Sequence, residues 1–356
     1  MSALLLVALV LFTMSWAMLP LFPAIRELYN PTDVEPLRMV GRDNADISRF
    51  ARGFRDYIEA SLRRLPPGTG GGDYFGRLPD GTHFVRVAQL PGVLMEGAVP
   101  DGSHDRVVVL EQPVTLPGDE RFRLEVFARK DLTGGVGAEY RAVLGDDDVR
   151  LGAQSVVWRW IHARGTVYAG DACALFGRTS SDTRISLGKD VGFERMGAPR
   201  IVAGDEPFPT APPDHGEYLP FTPPESAEQH GDHLRVAVDL EIGEGVVVEG
   251  HLVVAGRLHL GRGARVRGSI KAHGDVSLGP GAVVMGALVS GRSIIAGEGT
   301  WIKGPLIAEE QITLGPLVGV GDPGNQTTVS GRSVVLSRGA GVAGHIITSE
   351  GGHTTA

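Results

Sequence analysis

Apolar and polar residues alternate in short bursts through the second half of the chain. From residue 238 onward, apolar pairs such as Leu258/Leu260 and Val276/Leu278 enclose one polar residue, and a new pair begins every six residues. Side chains at positions i and i+2 of a strand point to the same face of a sheet. The pattern therefore predicts many short strands that turn their apolar sides toward one interior.

Three such pairs make a unit of eighteen residues, and this unit recurs. Aliphatic residues and glycines keep the interval independently, in the series Leu240, Leu258, Val276, Ile294, Ile312 and the series Gly243, Gly261, Gly279, Gly297, Gly315. We interpret the repeat as an all-β fold, a three-sided parallel β-helix (solenoid) with glycines near its corners, where a positive φ is often needed. Each coil is stabilised by its neighbours. The residues expected to form the core and to support self-association are Leu258, Leu260, Val266, Ile270, Val276, Leu278, Val284 and Leu288.

The pattern is weaker upstream. Between residues 149 and 193 the step of six residues persists, and Cys173 is expected to point inward as a small core residue. Residues 73–110 are β-like but lack the period, so we assign them to a lead-in segment. The proline-rich stretch 204–232 cannot form a solenoid strand. It is either a linker between two solenoid segments or a loop from one continuous solenoid, and we favour the loop.

The N terminus has a different character. Residues 1–25 carry no charged side chain, and twenty apolar residues are enough to cross a bilayer core of about 30 Å. We predict a transmembrane helix there, with a cleaved signal peptide as the alternative. The residues expected to anchor it are Leu4, Leu5, Leu6, Leu9, Leu11, Phe12 and Trp16. Arginines follow the span, so the positive-inside rule predicts a single-pass protein of a bacterial inner membrane whose main body is cytoplasmic.

Residues 43–65 carry apolar side chains at helical spacing, with Asp43 or Asn44 as caps. This amphipathic helix either lies on an anionic leaflet or packs on the next domain. The chain thus divides into six segments. They are an anchor (1–25), a juxtamembrane helix and linker (26–72), a β-rich segment with the first coils (73–204), a proline-rich loop or linker (205–232), the main solenoid (233–348) and a tail (349–356).

The amino-acid composition further narrows the possible fold and function classes. The 51 glycines and the aromatic content of 6% argue against a helical bundle. One cysteine excludes an internal disulfide framework, and a net charge of −8 implies no general affinity for nucleic acid. An interruption at residues 321–329 breaks the period once.

Three short stretches of the repeat resemble the bactofilin family of bacterial polymer-forming cytoskeletal proteins. They are Gly268-Ser269-Ile270-Lys271-Ala272, Leu278-Gly279-Pro280-Gly281-Ala282-Val283-Val284 and Gly304-Pro305-Leu306-Ile307-Ala308. The resemblance covers about residues 238–348 and leaves out the N-terminal third. It implies a right-handed solenoid that stacks end to end or associates laterally, and a scaffold for cell-envelope or cell-shape proteins. It implies no cofactor and no catalytic residue.

The alternative is a hexapeptide-repeat acyltransferase, a left-handed trimeric solenoid that needs a general base. His251, His259 and His273 have the right chemistry but fall on outward or corner positions, where a solvated histidine is the simpler interpretation. The Asp146-Asp147-Asp148 triple fits a solvated turn better than a cation site. Three tryptophans, Trp158, Trp160 and Trp301, are expected on the outer surface, either as a docking patch or under neighbouring segments.

Overall fold

The computed structural model describes residues 46–64, 73–88, 102–210 and 218–355, together with Leu9, Phe12, Thr13 and Trp16. The chain divides into two units, Met1–Ala45 and Asp46–Ala356. The second unit contains one helix, α1 (Arg49–Leu62), within the described ranges, and a β-solenoid of about 14 turns.

The solenoid consists of two runs of strands. The first run comprises β1 (Tyr74–Arg77), β2 (His83–Val87), β3 (Ser103–His104), β4 (Val107–Leu110), β5 (Val114–Thr115), β6 (Arg121–Ala128), β7 (Leu132–Thr133), β8 (Glu139–Gly145), β9 (Val149–Leu151), β10 (Val156–Ala163), β11 (Val167–Ala169), β12 (Ala174–Ser181), β13 (Ile185–Leu187) and β14 (Gly192–Ala203).

The second run follows the proline-rich segment. It comprises β15 (Leu219–Pro220), β16 (Ala227–His230), β17 (His233–Val236), β18 (Leu240–Ile242), β19 (Val246–Val248), β20 (His251–Val254), β21 (Leu258–Leu260), β22 (Arg265–Val266), β23 (Ile270–Ala272), β24 (Val276–Leu278), β25 (Val283–Val284), β26 (Leu288–Ser290), β27 (Ile294–Ala296), β28 (Trp301–Ile302), β29 (Leu306–Ala308), β30 (Gln311–Leu314), β31 (Gly319–Val320), β32 (Thr327–Gly331), β33 (Ser333–Leu336) and β34 (Gly341–Thr354).

Strands of the second run stack in parallel with the register that the repeat predicts. Leu240 lies opposite Leu258, and Leu258 lies opposite Val276. The interval of eighteen residues is therefore one coil, and three strands make its three sides. The eight residues expected in the core are all at most 3% exposed. Their burial at every level produces one continuous apolar interior, in which each coil covers the next.

The glycines at the corners serve two different purposes. Gly281 has φ +68°, and a Cβ added there would meet nothing within 4 Å. Gly279 has no positive φ, but a Cβ on it would lie 2.8 Å from the carbonyl carbon of Gly261 in the coil below. The predicted glycine series therefore marks close contacts between stacked corners, and the left-handed position lies two residues further on.

The first run is also a parallel solenoid, and it starts earlier than the sequence predicts. β2 pairs in parallel with β4, and β4 pairs with β6, so both of these strands of the predicted lead-in segment belong to the stack, although without the interval of eighteen residues between β2 and β4. Strands β6, β10 and β12 each carry one extra residue relative to a neighbouring strand, and the register shifts at that bulge. The rings of Phe122 and Tyr140 stack in the interior with centroids 5.2 Å apart.

The two runs meet at their C-terminal coils. β14, the last coil of the first run, pairs antiparallel with β34, the last strand of the second run. Met196 lies opposite Ile346 and Ile201 lies opposite Val342, and all four side chains are buried. We call this ladder the junction. It joins the two runs tail to tail into one solenoid with a continuous core.

The proline-rich segment connects the junction to the far end of the second run. Phe208 and Pro209 lie against the outer surface, where a Cβ on Gly341 would be 3.0 Å from the Phe208 ring and 2.6 Å from Pro209. Beyond residues 211–217, which lie outside the described residues, β15 pairs with β19 and β16 folds back on β17. The segment therefore links two runs and also forms an external strap on a continuous solenoid.

Helix α1 covers one outer face of the first run. Its Ala51 and Ile58 are buried against Val109, Leu144 and other outward-facing residues of that face. Arg55 forms a salt bridge with Asp146 and is itself buried. The predicted amphipathic helix is thus confirmed over fourteen residues, and its apolar stripe packs on the neighbouring domain. The predicted caps Asp43 and Asn44 lie outside the described residues.

The predicted transmembrane helix and the inner-membrane localisation based on it are wrong by this structure. Among the residues described, no helix is long and apolar enough to cross a membrane. Leu4, Leu5, Leu6 and Leu11 lie outside those residues, and the described Leu9, Phe12 and Trp16 are exposed. Twenty apolar residues satisfy the length requirement, but a span also requires one uninterrupted helix, which length and hydropathy alone do not guarantee.

Candidate functional site

The three candidate histidines lie at outward or corner positions of the second run, and two of them contact a residue of the next coil. The backbone N–H of Ser269 donates to Nδ1 of His251 at 2.9 Å, and Nδ1 of His259 lies 2.6 Å from Oγ of Ser277. Both contacts join residues eighteen apart on neighbouring coils. His259 and His273 are exposed. This exposure agrees with the solvated positions expected for those two histidines, whereas His251 is half-buried.

Other reactive groups have structural partners. Cys173 is buried, and burial raises the pKa of its thiol to about 11, so the thiol is protonated at neutral pH. Asp146 binds Arg55, and Oδ2 of Asp148 lies 3.1 Å from a guanidinium nitrogen of Arg150. Within the described ranges, no group of three or more His, Cys, Asp or Glu residues is placed to hold a metal ion.

Two histidines lie at a small pocket beside the junction. The pocket has a volume of about 280 Å³, and His162, Asp182, His345 and Asp46 are among its lining residues. Nδ1 of His162 lies 2.9 Å from Oγ of Ser180, whereas Nδ1 of His345 is buried and has no hydrogen-bond partner among the residues described. Burial lowers the pKa of both imidazoles, so they are neutral at pH 7.

The tryptophans differ in environment. Trp160 is buried under α1, with its ring 5.7 Å from that of Phe54. Trp158 is 54% exposed and stacks on the exposed ring of Phe176, with centroids 5.3 Å apart and planes 18° apart. The bulge between Val157 and Trp160 turns the two tryptophans apart, which strict alternation could not predict. Trp301 is buried, because Gly319 and the strap residue Pro209 lie close to it.

Trp158 lies at the rim of a groove on the side of the first run. The groove has a volume of about 580 Å³ and is lined by Ser103, Arg121, Phe122, Arg123, Glu139, Arg141, Trp158 and Arg159. Four of these eight residues are arginines and one is a glutamate. We call this surface the arginine groove. The sequence singled out its tryptophan, but the arginines come from three separate coils, and only the fold places them together.

The outer ends of the solenoid differ from the junction. At one end β1 pairs antiparallel with β2, and at the other end β16 pairs antiparallel with β17. Glu228, Gln229 and His230 of β16 are exposed. The polar side chains of β16 oppose the addition of a further strand to that edge.

Comparisons with family models, with curated proteins and with solved structures give no match to this chain. The structure therefore shows a β-solenoid fold, and this fold alone does not identify a protein family.

Proposed function

We propose that this chain is a non-catalytic scaffold of bactofilin type, a rigid rod that associates with copies of itself and holds other proteins along its sides. The observation that carries the proposal is the junction between β14 and β34. It is a coil-on-coil association held by backbone hydrogen bonds and apolar contacts, and because it lies within one chain it supports a long continuous rod and leaves association between chains to the sides of that rod. The chain makes this contact internally, between two runs of its own.

The length of the rod and the strands at its two ends fit the proposed scaffold role. About 14 turns at a strand spacing of about 4.8 Å give a length of about 65 Å. Because both outer ends carry an antiparallel strand, we place association between chains on the sides of the rod. An acyltransferase would instead bring a general base into a cleft between subunits, and the contacts of His251 and His259 within the chain do not favour it.

Negative-stain electron microscopy and light scattering of the purified full chain test this proposal. We expect rods about 65 Å long that form larger lateral assemblies as the protein concentration rises. Discrete trimers with acyl-CoA-dependent transferase activity, lost in the variant His259→Ala, would contradict the scaffold and support the enzyme. A chain that stays monomeric at every concentration would contradict self-association.

A further inference from the structure

One corner of the rod runs through both runs without a break. On one side of this corner, strand residues stack level by level across the junction, in the order Val157, Leu175, Phe193, Gly352, Val334, Ile312, Ile294, Val276, Leu258 and Leu240. On the other side, the stack runs in the same way from Ile161 to Leu234. Residues 158–159 and 237–239 connect the two sides and therefore lie on the same corner, about 43 Å apart along the rod. We call this corner the shared edge.

The two ends of the shared edge carry opposite charges beside exposed apolar side chains. At the first-run end, Trp158 is 54% exposed and precedes the exposed Arg159. At the outer end of the second run, Val238 is also 54% exposed and lies close in sequence to the exposed Glu241. Among the residues described, neither Arg159 nor Glu241 has an ion-pair partner. Both charges are therefore available to a second molecule.

Between these ends, the charges on the shared edge alternate from level to level. Glu350, Arg332, Glu310 and Arg292 occupy four successive levels. Nε of Arg332 lies 3.7 Å from a carboxylate oxygen of Glu350, and Nε of Arg292 lies 3.8 Å from one of Glu310. These ion pairs lie at the surface, where such pairs contribute little, so their charges can be shared with another chain.

A second copy that lies antiparallel along the shared edge matches this pattern. A two-fold axis midway between the ends falls between the levels of Arg332 and Glu310 and places these two residues opposite each other. The same axis places Glu350 opposite Arg292. A parallel copy in the same register would instead face a like charge at each of these levels.

The axis also brings the two ends together, and does so twice. The Trp158 and Arg159 end of each copy comes opposite the Val238 and Glu241 end of the other. Of the two remaining levels, one places the exposed ring of Phe176 opposite an arginine, Arg257, which can stack on it. The other level carries charges of both signs and adds no net attraction.

The overlap has the size of a specific interface. It is about 43 Å long, and a corner of about five residues is about 16 Å wide, so each copy buries roughly 700 Å². A standard interface buries about 800 Å² on each partner. The exposed side chains of Trp158, Phe176 and Val238 supply apolar anchors, which the binding energy of such an interface requires.

We propose that two copies of this chain pair antiparallel along the shared edge, and that this dimer is the unit from which the lateral assembly of the scaffold grows. The inference rests on the proposed self-association and names the surface and the geometry that produce it. Arg159 of each copy binds Glu241 of the other, and the Trp158 ring packs against Val238. Because each copy supplies both ends, one pair of opposite charges forms at each end of the overlap.

Exchange of the two end charges tests this pairing by sedimentation equilibrium of the full chain at low ionic strength. Arg159→Glu makes both end contacts acidic, and Glu241→Arg makes both basic, so each variant should weaken dimerisation at least about tenfold. An equimolar mixture of the two variants should restore it, because both contacts of the mixed dimer then join opposite charges. The matched controls Arg262→Glu and Glu298→Arg, at another corner of the second run, should change it less than about twofold.

Folding of each variant is checked by circular dichroism, and the exposed substitutions should leave the spectrum unchanged. A mixture that dimerises no better than its components would overturn the antiparallel pairing, and so would a trimer as the first associated species. Equal effects of the edge and control substitutions on a chain that still assembles would overturn the pairing and leave the scaffold role standing. A chain that stays monomeric at every concentration would overturn both.

Discussion

The first and second runs build the same coil from different residues. In the second run, strands β18 to β29 are two to four residues long, and left-handed corner positions are held by Gly245, Gly263, Gly281 and Gly299. In the first run, strands reach twelve residues, and non-glycine residues such as Gln154 and Ala172 occupy left-handed corners. The coil therefore needs a left-handed corner but does not need glycine there.

A further difference concerns the outside of the coils. One face of the first run is covered by α1 and carries buried outward residues such as Phe127 and Leu144. The corresponding outward residues of the second run, such as His259 and Lys271, are exposed. Alternation of apolar and polar residues is consequently clear in the second run and blurred in the first, because both sides of a covered strand are apolar.

The largest effect is expected from a charge in the core of the second run. Val284 is fully buried between coils, so Val284→Lys would place an ammonium group where no partner can reach it, and we expect the second run not to fold. Ile295→Lys is the matched control, since Ile295 is 56% exposed on a nearby strand. Circular dichroism and urea unfolding measure both. A native transition in the Val284→Lys variant would show that the assigned interior is wrong.

The next largest effect is expected at the junction. Ile346 is fully buried opposite Met196, whereas the adjacent Ile347 is 36% exposed. Ile346→Asp should lower the free energy of unfolding by at least about 3 kcal/mol and separate the two runs into two transitions, because the buried carboxylate has no partner. Ile347→Asp should change it by less than about 1 kcal/mol. Equal effects of the two substitutions in urea titrations would argue against the junction.

The two purposes of the corner glycines can be separated by alanine. Gly281→Ala adds a Cβ into open space at positive φ and should cost about 1 kcal/mol. Gly279→Ala places a Cβ against the backbone of Gly261, so the coils must move apart and the cost should be about 2–3 kcal/mol. Thermal unfolding of the two variants gives the order. A larger loss for Gly281→Ala would mean that backbone strain, and not close packing, governs the corners.

The smallest expected effect is a pH dependence that originates at the junction. Burial lowers the pKa of His162 and His345, so the unfolded chain binds their protons more tightly than the folded chain does. Their stabilising contribution is then complete above the ordinary histidine pKa of about 6.5 and is lost as the pH falls from there toward the folded-state values. We expect the urea midpoint to fall between pH 7 and pH 5, and to fall less in a His162→Asn/His345→Asn double variant. An unchanged pH dependence in that variant would rule out these two groups.

Much of the second run could be predicted from sequence, because Leu240, Leu258 and Val276 repeat at one fixed interval and each contacts the next. In the first run the repeat was recognisable only weakly, over residues 149–193, because the register from Tyr140 to Val157 is seventeen residues and a bulge follows. The junction could not be predicted at all. β14 and β34 belong to different runs and pair antiparallel. The repeat interval in the sequence therefore gives no information about which strands become partners there.

The arginine groove could likewise be predicted only in part from the sequence. Trp158 was recognisable as an outward aromatic, but its separation from Trp160 depends on the bulge, and the neighbouring arginines depend on the stacking of β6, β8 and β10. For the apolar N-terminal stretch, the sequence instead predicts an element that the structure contradicts. Its hydropathy predicts a membrane span, and the described residues contain no helix that could be one.

A pair of cysteines across the junction tests the central claim most directly. Arg195 and Ile347 are Cα partners in the antiparallel ladder, and both side chains are exposed. The Arg195→Cys/Ile347→Cys chain should form an intramolecular disulfide on mild oxidation and remain monomeric on denaturing gels, because opposite Cβ atoms in such a ladder are about 4.5–5.5 Å apart. Arg195→Cys/Ile307→Cys is the control and should not cross-link. Failure of the first pair to cross-link, or links only between chains, would contradict the tail-to-tail joining of the two runs.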